Sequence, residues 1–422
     1  MLSTRLYAYH QQLSPLSPDP FLMTAERDRD ARMQSTSKAA GAREAQFALD
    51  EVQSDLRALA REISEREFRD RALGWERTGE FPWRNIKILA EHGLLGVALP
   101  EEYGGGGGTW LHAALVLEEV GRCCYTTAMA ALGEVGVQTQ AILKYGTEEQ
   151  RRAYLPAVSA GELICAVCIT EPDSGGDLAA MGTILTRSGD GFVLNGHKTL
   201  ISRADVAGLF VVYTRFAGDG GDRPIGAVLV ERDTPGLTVT ERFDTLGGEG
   251  LYGVVFDDCP VPAGNVLVRE DGFRKMLSAF NGQRCLNAAI SVGIAQGAQD
   301  AAVAYAKERV AGGKLLGAHQ GIRWILADNA IQIEAARLLV HRAAAEAGAG
   351  FPSRYHSSIA KTFANEMALK VTDNVVQLFG GHGWIKDVPA ERYLRWARYG
   401  PLGGGTPHIQ RNGLARHLLG DL

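Results

Sequence analysis

From Phe47 onward, Leu49, Val52, Leu56, Leu59 and Ile63 recur at spacings of three and four, the mark of a helix with one apolar face. Further helices are predicted over 83–92 and 111–122, the second entered through the glycine turn 104–108. Thr147-Glu148-Glu149-Gln150 reads as a helix start, with Thr147 as the cap and Gln150 closing a capping box. Near Leu163 the period shortens. Short β-branched runs at 163–170, 191–194, 209–214, 226–231, 237–241 and 254–256, separated by Gly, Asp and Asn, predict a small antiparallel barrel or sandwich. Pro260-Val261-Pro262 closes that region, and Ala- and Leu-rich helical segments follow at 273–308, 319–347 and 355–380. The chain therefore reads as an α+β protein with a helical domain over 46–162, a β domain over 163–272 and a helical bundle over 273–422. Residues 1–45 lack any period, hold Pro15, Pro18 and Pro20, and are predicted to be a disordered extension. Met23 and Met33 offer alternative starts, and a transit peptide is disfavoured because Arg5 is the only charge in the first 18 residues.

Composition narrows the function classes. Lys and Arg number 44 against 49 Asp and Glu, a net charge of -5, which argues against a general nucleic-acid binder. No apolar run approaches the roughly 18 residues of a membrane span. Six cysteines in 422 residues do not make a disulfide framework, and their usage fits a reducing cytoplasm. Cys165-x-x-Cys168 has the spacing of a redox or zinc pair, but it lies in an apolar run with no second ligand pair, so two packed thiols are expected. Glycine stands out: 51 of 422 residues, against about 7% in average proteins. Loops that bring backbone close to a ligand account for such an excess, as do plain flexible loops.

Six blocks, in order, resemble one family. They are 100–105 (Pro-Glu-Glu-Tyr-Gly-Gly), 145–150 followed by Tyr154-Leu155-Pro156, the run 169–177 (Ile-Thr-Glu-Pro-Asp-Ser-Gly-Gly-Asp), Leu194-Asn195-Gly196-His197-Lys198 with Leu200-Ile201-Ser202, 377–383 (Gln-Leu-Phe-Gly-Gly-His-Gly), and 405–411. Over 47–418 the chain is similar to the acyl-CoA dehydrogenases. That resemblance implies a helical domain, a middle β domain and a C-terminal four-helix bundle. It also implies non-covalent FAD, an acyl thioester substrate carried by coenzyme A or a carrier protein, assembly as a homodimer or homotetramer, and a flavoprotein or oxygen as electron acceptor.

Reduced flavin carries negative charge along its pyrimidine edge and N5, so the site needs donors there. The resemblance assigns them to Cys168, Ile169 and Thr170 at one strand end and to Leu200, Ile201 and Ser202 at another. Thr170 reads equally as a cap or turn residue. Ser202 stands where the family usually has Thr, and Leu200 replaces the usual Trp. Arg309 and Gln320 would reach the cofactor of a partner subunit, with Gly312 in place of an aromatic residue; Gln377, Gly380, Gly381 and Gly383 would hold the adenosine side, and Thr406 is a further cofactor-binding candidate. Ser174, Gly175, Gly176 and Arg284 are the substrate-side candidates, Gly176 replacing the family's usual Ser; Glu171 and Asp177 would fix the turn.

The base is discordant. Removing the proton next to a thioester carbonyl requires a carboxylate while hydride passes to the flavin. The position where most of the family carries that Glu holds Gly404, and the alternative position, before Arg284, holds Gln283. Glu249 and His408 are the remaining candidates, each equally readable as a solvated loop or helix-start residue. Three readings follow: an FAD-dependent acyl thioester dehydrogenase with altered base chemistry, a flavin monooxygenase on the same scaffold, and a non-catalytic partner subunit of a heteromeric dehydrogenase.

Overall fold

The apolar stripe after Phe47 folds as helix α1 (Glu51–Ile63), with Ala60 and Ile63 buried. The computed structural model describes residues 48–218, 224–386 and 388–420, so the expected extension 1–45 lies outside the described residues. Contacts group the chain into Met1–Val52 and Gln53–Leu422, and the second unit holds every element beyond the first residues of α1.

Six more helices complete the first layer: α2 (Ala72–Thr78), α3 (Trp83–Glu91), α4 (Trp110–Cys123), α5 (Tyr125–Leu132), α6 (Gln138–Tyr145) and α7 (Glu148–Ser159). The capping box at α7 forms, with the Gln150 N–H donating to Thr147 Oγ1 at 3.2 Å and the Thr147 N–H to Gln150 Oε1 at 3.0 Å. Helix α4 is buried almost all round, and its two glutamates act as a hub. Glu119 accepts from Arg57 at 2.8 Å and from Arg61 at 2.8 Å, while Glu118 accepts from Arg337 Nε at 2.8 Å and faces His341.

The β domain is an eight-stranded sheet. Its members are β1 (Cys165–Cys168), β2 (Ile184–Ser188), β3 (Gly191–Ser202), β4 (Leu209–Phe216), β5 (Ile225–Glu231), β6 (Leu237–Asp244), β7 (Gly250–Val261) and β8 (Val266–Val268). The order is β6-β7-β3-β2-β4-β5-β8, with β1 beside β4. Most pairings are antiparallel as expected, but β1 and β2 each run parallel to β4. The strand expected to stop at Leu194 continues to Ser202: the Asn195-Gly196 turn signal is absorbed as a bulge against β7, and Asn195 bonds Asp258 rather than turning the chain. Cys165 packs with Leu209, Val211 and Tyr213, while Cys168 packs with Phe210 and Val212 on the opposite face. Both thiols are free and buried.

The C-terminal layer is built on α8 (Gly272–Glu308), a 37-residue helix. It packs against α4, α9 (Gln320–Ala345) and α10 (Arg354–Phe379), with the short α11 (Pro389–Ala397) and α12 (Pro407–Leu419) on α10. A small hairpin, β9 (Val310–Ala311) and β10 (Lys314–Leu315), joins α8 to α9. Gly293 lets α8 approach α4 closely, since a Cβ there would lie 2.0 Å from the Glu118 carbonyl oxygen. Among the described residues no helix is long and apolar enough to cross a membrane.

Burial alone would raise the Glu118 carboxyl, but His341 3.5 Å away and the charges of Arg337 and Arg57 outweigh it and hold the pKa at about 2. A pKa lower in the folded than in the unfolded chain gives stability that is present above the unfolded value, about 4.3, and is lost as pH falls towards the folded one. Thermal midpoints measured from pH 7 down to pH 3 should therefore fall steeply below about pH 5, and Glu118→Gln should start lower at pH 7 and fall less. Equal slopes for the two proteins would remove Glu118 from this role.

Candidate active site

Two strand ends meet at the edge of the sheet. β1 finishes at Cys168 and β3 at Ser202, and they are held in register beyond their ladders by the Thr199 N–H, which donates to the Thr170 carbonyl at 2.9 Å. Beneath them Lys198, fully buried, donates to Glu171 Oε1 at 2.8 Å and to the Ile169 carbonyl at 3.0 Å. Glu171 also accepts from the Gly182 and Thr183 N–H groups, which sets the turn after β1. Burial works against the Glu171 charge, yet the bonds from Lys198 and Thr183 prevail and lower its pKa. A second pair, Arg203 Nη1 to Glu134 Oε2 at 2.7 Å, joins the end of β3 to a π-helical turn (Gly133–Val137), and Glu134 Oε1 accepts from the Cys165 N–H.

This clamping leaves specific groups free. The N–H and hydroxyl of Thr170 and the hydroxyl of Ser202 have no protein partner among the described residues. Leu200 sits in the bulge between the Lys198 and Ile201 pairings, at φ 56° and half exposed. Cys168 and Ile201 are buried in the sheet core, so they offer backbone only. Ser202 and Glu249 line one small cavity with Met129, Arg203 and Tyr252.

The two base positions converge. A Cβ on Gly404 would lie 3.1 Å from Gln283 Oε1 and 3.6 Å from Lys361 Cε. Gln283 Oε1 is buried and has no hydrogen-bond partner. Arg284 Nε donates to the Gly404 carbonyl at 3.4 Å and Nη1 to Asn281 Oδ1 at 2.7 Å. Lys361, 1% exposed, donates to the Gly400 carbonyl at 2.7 Å. Gln410 closes the loop from below, donating to the Gly405 carbonyl at 3.0 Å and accepting from Ser358. The charges acting on Arg284 are Arg354 and the Tyr213 phenol, and the charge acting on Lys361 is Arg284; no carboxylate is among them. Burial, then Arg354, pulls Arg284 down to about 10, and burial, then Arg284, pulls Lys361 down to about 7.

Other expected residues fare differently. Ser174 is 2% exposed, and its hydroxyl donates to the Asp177 carbonyl at 2.7 Å, which ties down the turn. Gly175 and Gly176 are exposed, and a Cβ on Gly176 would meet Ile409, which places that turn beside the start of α12. His408 is exposed in the first turn of α12 and makes no hydrogen bond to Gln283, Arg284 or Lys361. Glu249 accepts from Tyr125 at 2.6 Å and from Thr245 at 2.9 Å, so both of its oxygens are engaged. Thr406 caps α12 by accepting from the Ile409 N–H. At the far end of α8, Tyr305 stacks on Phe379 with ring centroids 4.2 Å apart, which sets Arg309 near the 377–383 turn. Gln320 opens α9 just past the hairpin that follows Arg309. Arg309, Gln320, Gln377, Gly380 and Gly381 are all exposed, and a Cβ on Gly380 or Gly381 would meet nothing within 4 Å. Gly383 is buried against the Val376 carbonyl.

Comparison with known proteins settles the family. Three descriptions match in sequence: acyl-CoA dehydrogenase N-terminal domain over 50–162, middle domain over 166–259 and C-terminal domain over 270–419. The chain belongs to the acyl-CoA dehydrogenase family. It is 37% identical over 378 residues to a probable acyl-CoA dehydrogenase of Bacillus subtilis, covering 88% of this chain and 99% of that protein. It is 38% identical over 390 residues to a 3-sulfinopropanoyl-CoA desulfinase of Paraburkholderia xenovorans, covering 89% and 98%. The solved butyryl-CoA dehydrogenase of Megasphaera elsdenii superposes with a TM-score of 0.85 at 33% identity, covering 88% of this chain and 99% of that one.

As an acyl-CoA dehydrogenase family member, the protein is an FAD-dependent oxidoreductase acting on acyl-CoA. The strand ends fit the cofactor, because the unpartnered Thr170 and Ser202 groups are the donors a flavin edge requires. When bound, FAD supplies the acceptor for the two electrons leaving the acyl chain. Lys361 escaped the sequence reading, although a lysine on the apolar face formed by Ala364, Ala368 and Val371 is a recognisable signal.

Lys198→Met leaves Glu171 buried without its cation, a loss of about 3–5 kcal/mol. Urea denaturation should register that loss, and the purified variant should hold less FAD than the wild type. Full flavin content with unchanged stability would show that the pair does not hold the strand ends.

Proposed function

We propose that this acyl-CoA dehydrogenase relative processes its thioester without a side-chain carboxylate as the base. The carrying observation is the meeting of Gly404, Gln283, Arg284 and Lys361: both places from which the family draws a carboxylate face the same point, and both lack one. Gln283 and the backbone of the 403–405 loop would orient the carbon next to the thioester carbonyl, and Thr170 and Ser202 would hold the flavin edge. Loss of a general base costs about 10²–10⁴ in rate for a reaction that needs it. Neutral saturated acyl-CoA should therefore bleach the flavin slowly under anaerobic stopped flow. Gln283→Glu, nearly isosteric, should raise that rate by about 10². Rapid bleaching by the wild type, unimproved in the variant, would show that another base is in place.

Coenzyme A is the proposed carrier, and an electron-transferring flavoprotein the proposed acceptor. Homo-oligomeric assembly is proposed from an exposed apolar stripe on α9. Trp324, Ile331 and Leu338 recur every seven residues at 62%, 63% and 46% exposure, and Trp384 at the 377–383 turn is 89% exposed. A second copy of the chain is the occupant that also brings Arg309 and Gln320 to a neighbouring cofactor. Sedimentation velocity should find a dimer or larger, and the double change Trp324→Asp with Ile331→Asp should shift it towards monomer. A monomeric wild type would overturn the assignment.

A further inference from the structure

Buried cations need a counter-charge or a full set of acceptors, because removing a charge from water is costly. Lys198 has both, in Glu171 and the Ile169 carbonyl. Lys361 is buried to the same degree and has one carbonyl; Arg284 has a carbonyl and an amide oxygen; among the described residues neither forms an ion pair with a carboxylate. Beside them Gln283 Oε1 is buried and unpaired. Arg354, from the start of α10, adds a further positive charge acting on Arg284. The vacated carboxylate position at Gly404 lies among these groups, within 3.6 Å of Lys361 and Gln283 measured from a Cβ built there.

The geometry points to an acyl-CoA whose acyl group brings the missing negative charge: a short chain carrying a carboxylate or sulfinate two or three carbons from the thioester carbonyl, received by Arg284 and Lys361. The length follows from the place. A base at position 404 reaches the carbon next to the thioester carbonyl, so an anion seated in its stead belongs on that carbon or the next. Gly404 is then the opening that admits the group, and Gln283 can turn its amide N–H₂ towards it. This inference rests on the reading of the site as an acyl-CoA pocket and adds the substrate's charge.

Isothermal titration calorimetry on the holoenzyme, with succinyl-CoA and 3-sulfinopropanoyl-CoA against butyryl-CoA, reads the preference directly. Anaerobic flavin bleaching on the same samples reads the redox reaction separately. The anionic thioesters should bind about tenfold more tightly or better, the scale of one charge-assisted hydrogen bond. Arg284→Gln should bring the ratio close to one. Gln283→Glu, which returns an internal carboxylate while nearly preserving shape, should do so as well. A ratio near one in the wild type overturns the inference, whether or not the flavin responds. A ratio of ten or more with no bleaching by any thioester supports it and counts against the redox reading alone. Binding of none of the three overturns both.

Discussion

A buried ammonium must be neutralised, and that constraint organises this molecule at two places with opposite outcomes. Under the strand ends, Lys198 is closed off by Glu171, and because Glu171 also takes the Gly182 and Thr183 N–H groups, one ion pair sets β1, β3 and the turn between them. Thr170 and Ser202 present unspent donors because their neighbours are fixed from below. Between the helices of the C-terminal layer, Lys361 and Arg284 meet the same constraint with no carboxylate paired to them among the described residues. The first arrangement fixes the strand ends where we place the cofactor edge; the second leaves the proposed base position without a counter-charge.

Much of the architecture was legible in the chain, and for identifiable reasons. The change of hydrophobic period near Leu163 and the return to helix after Gly272 fall where β1 and α8 lie, because short β-branched runs give way there to a 37-residue Ala- and Leu-rich helix. Where local signals competed with tertiary pairing, they lost. The β-branched run stops at Leu194, yet β7 lies along the whole of β3 and a bulge accommodates Asn195 and Gly196. Helices α5 and α6 carry no clear stripe because they are buried nearly all round, so periodicity had no contrast to report.

The site divides in the same way. The strand ends proposed as the flavin edge could be singled out because their residues lie in contiguous motifs. The proximity of Gly404 to Gln283, some 120 residues apart in sequence, could be suspected only as two alternative positions and becomes one location once α8 and the 403–405 loop pack together. The bond from Ser174 to the Asp177 carbonyl was not readable, because a hydroxyl in a turn motif does not reveal which way it points. Lys361 went unnoticed because a single lysine in a long Ala-rich helix reads as a solvated position unless its phase on the helix is worked out.

The missing carboxylate is built into the backbone as well as the side chains. Gly404 has φ 71° and Gly405 φ 90°, in the region where L residues are strained by about 1–2 kcal/mol. A chain that had merely lost its glutamate by one substitution would keep a loop in which a side chain fits without strain. Here the loop is held in the left-handed region by the Gly404 and Gly405 carbonyls, which accept from Arg284 and Gln410. The alternative position, Gln283, is itself uncharged and aims a buried oxygen at the same point. Loop conformation, residue types and retained cations agree with one another, and such agreement across levels marks a specified site rather than a decayed one.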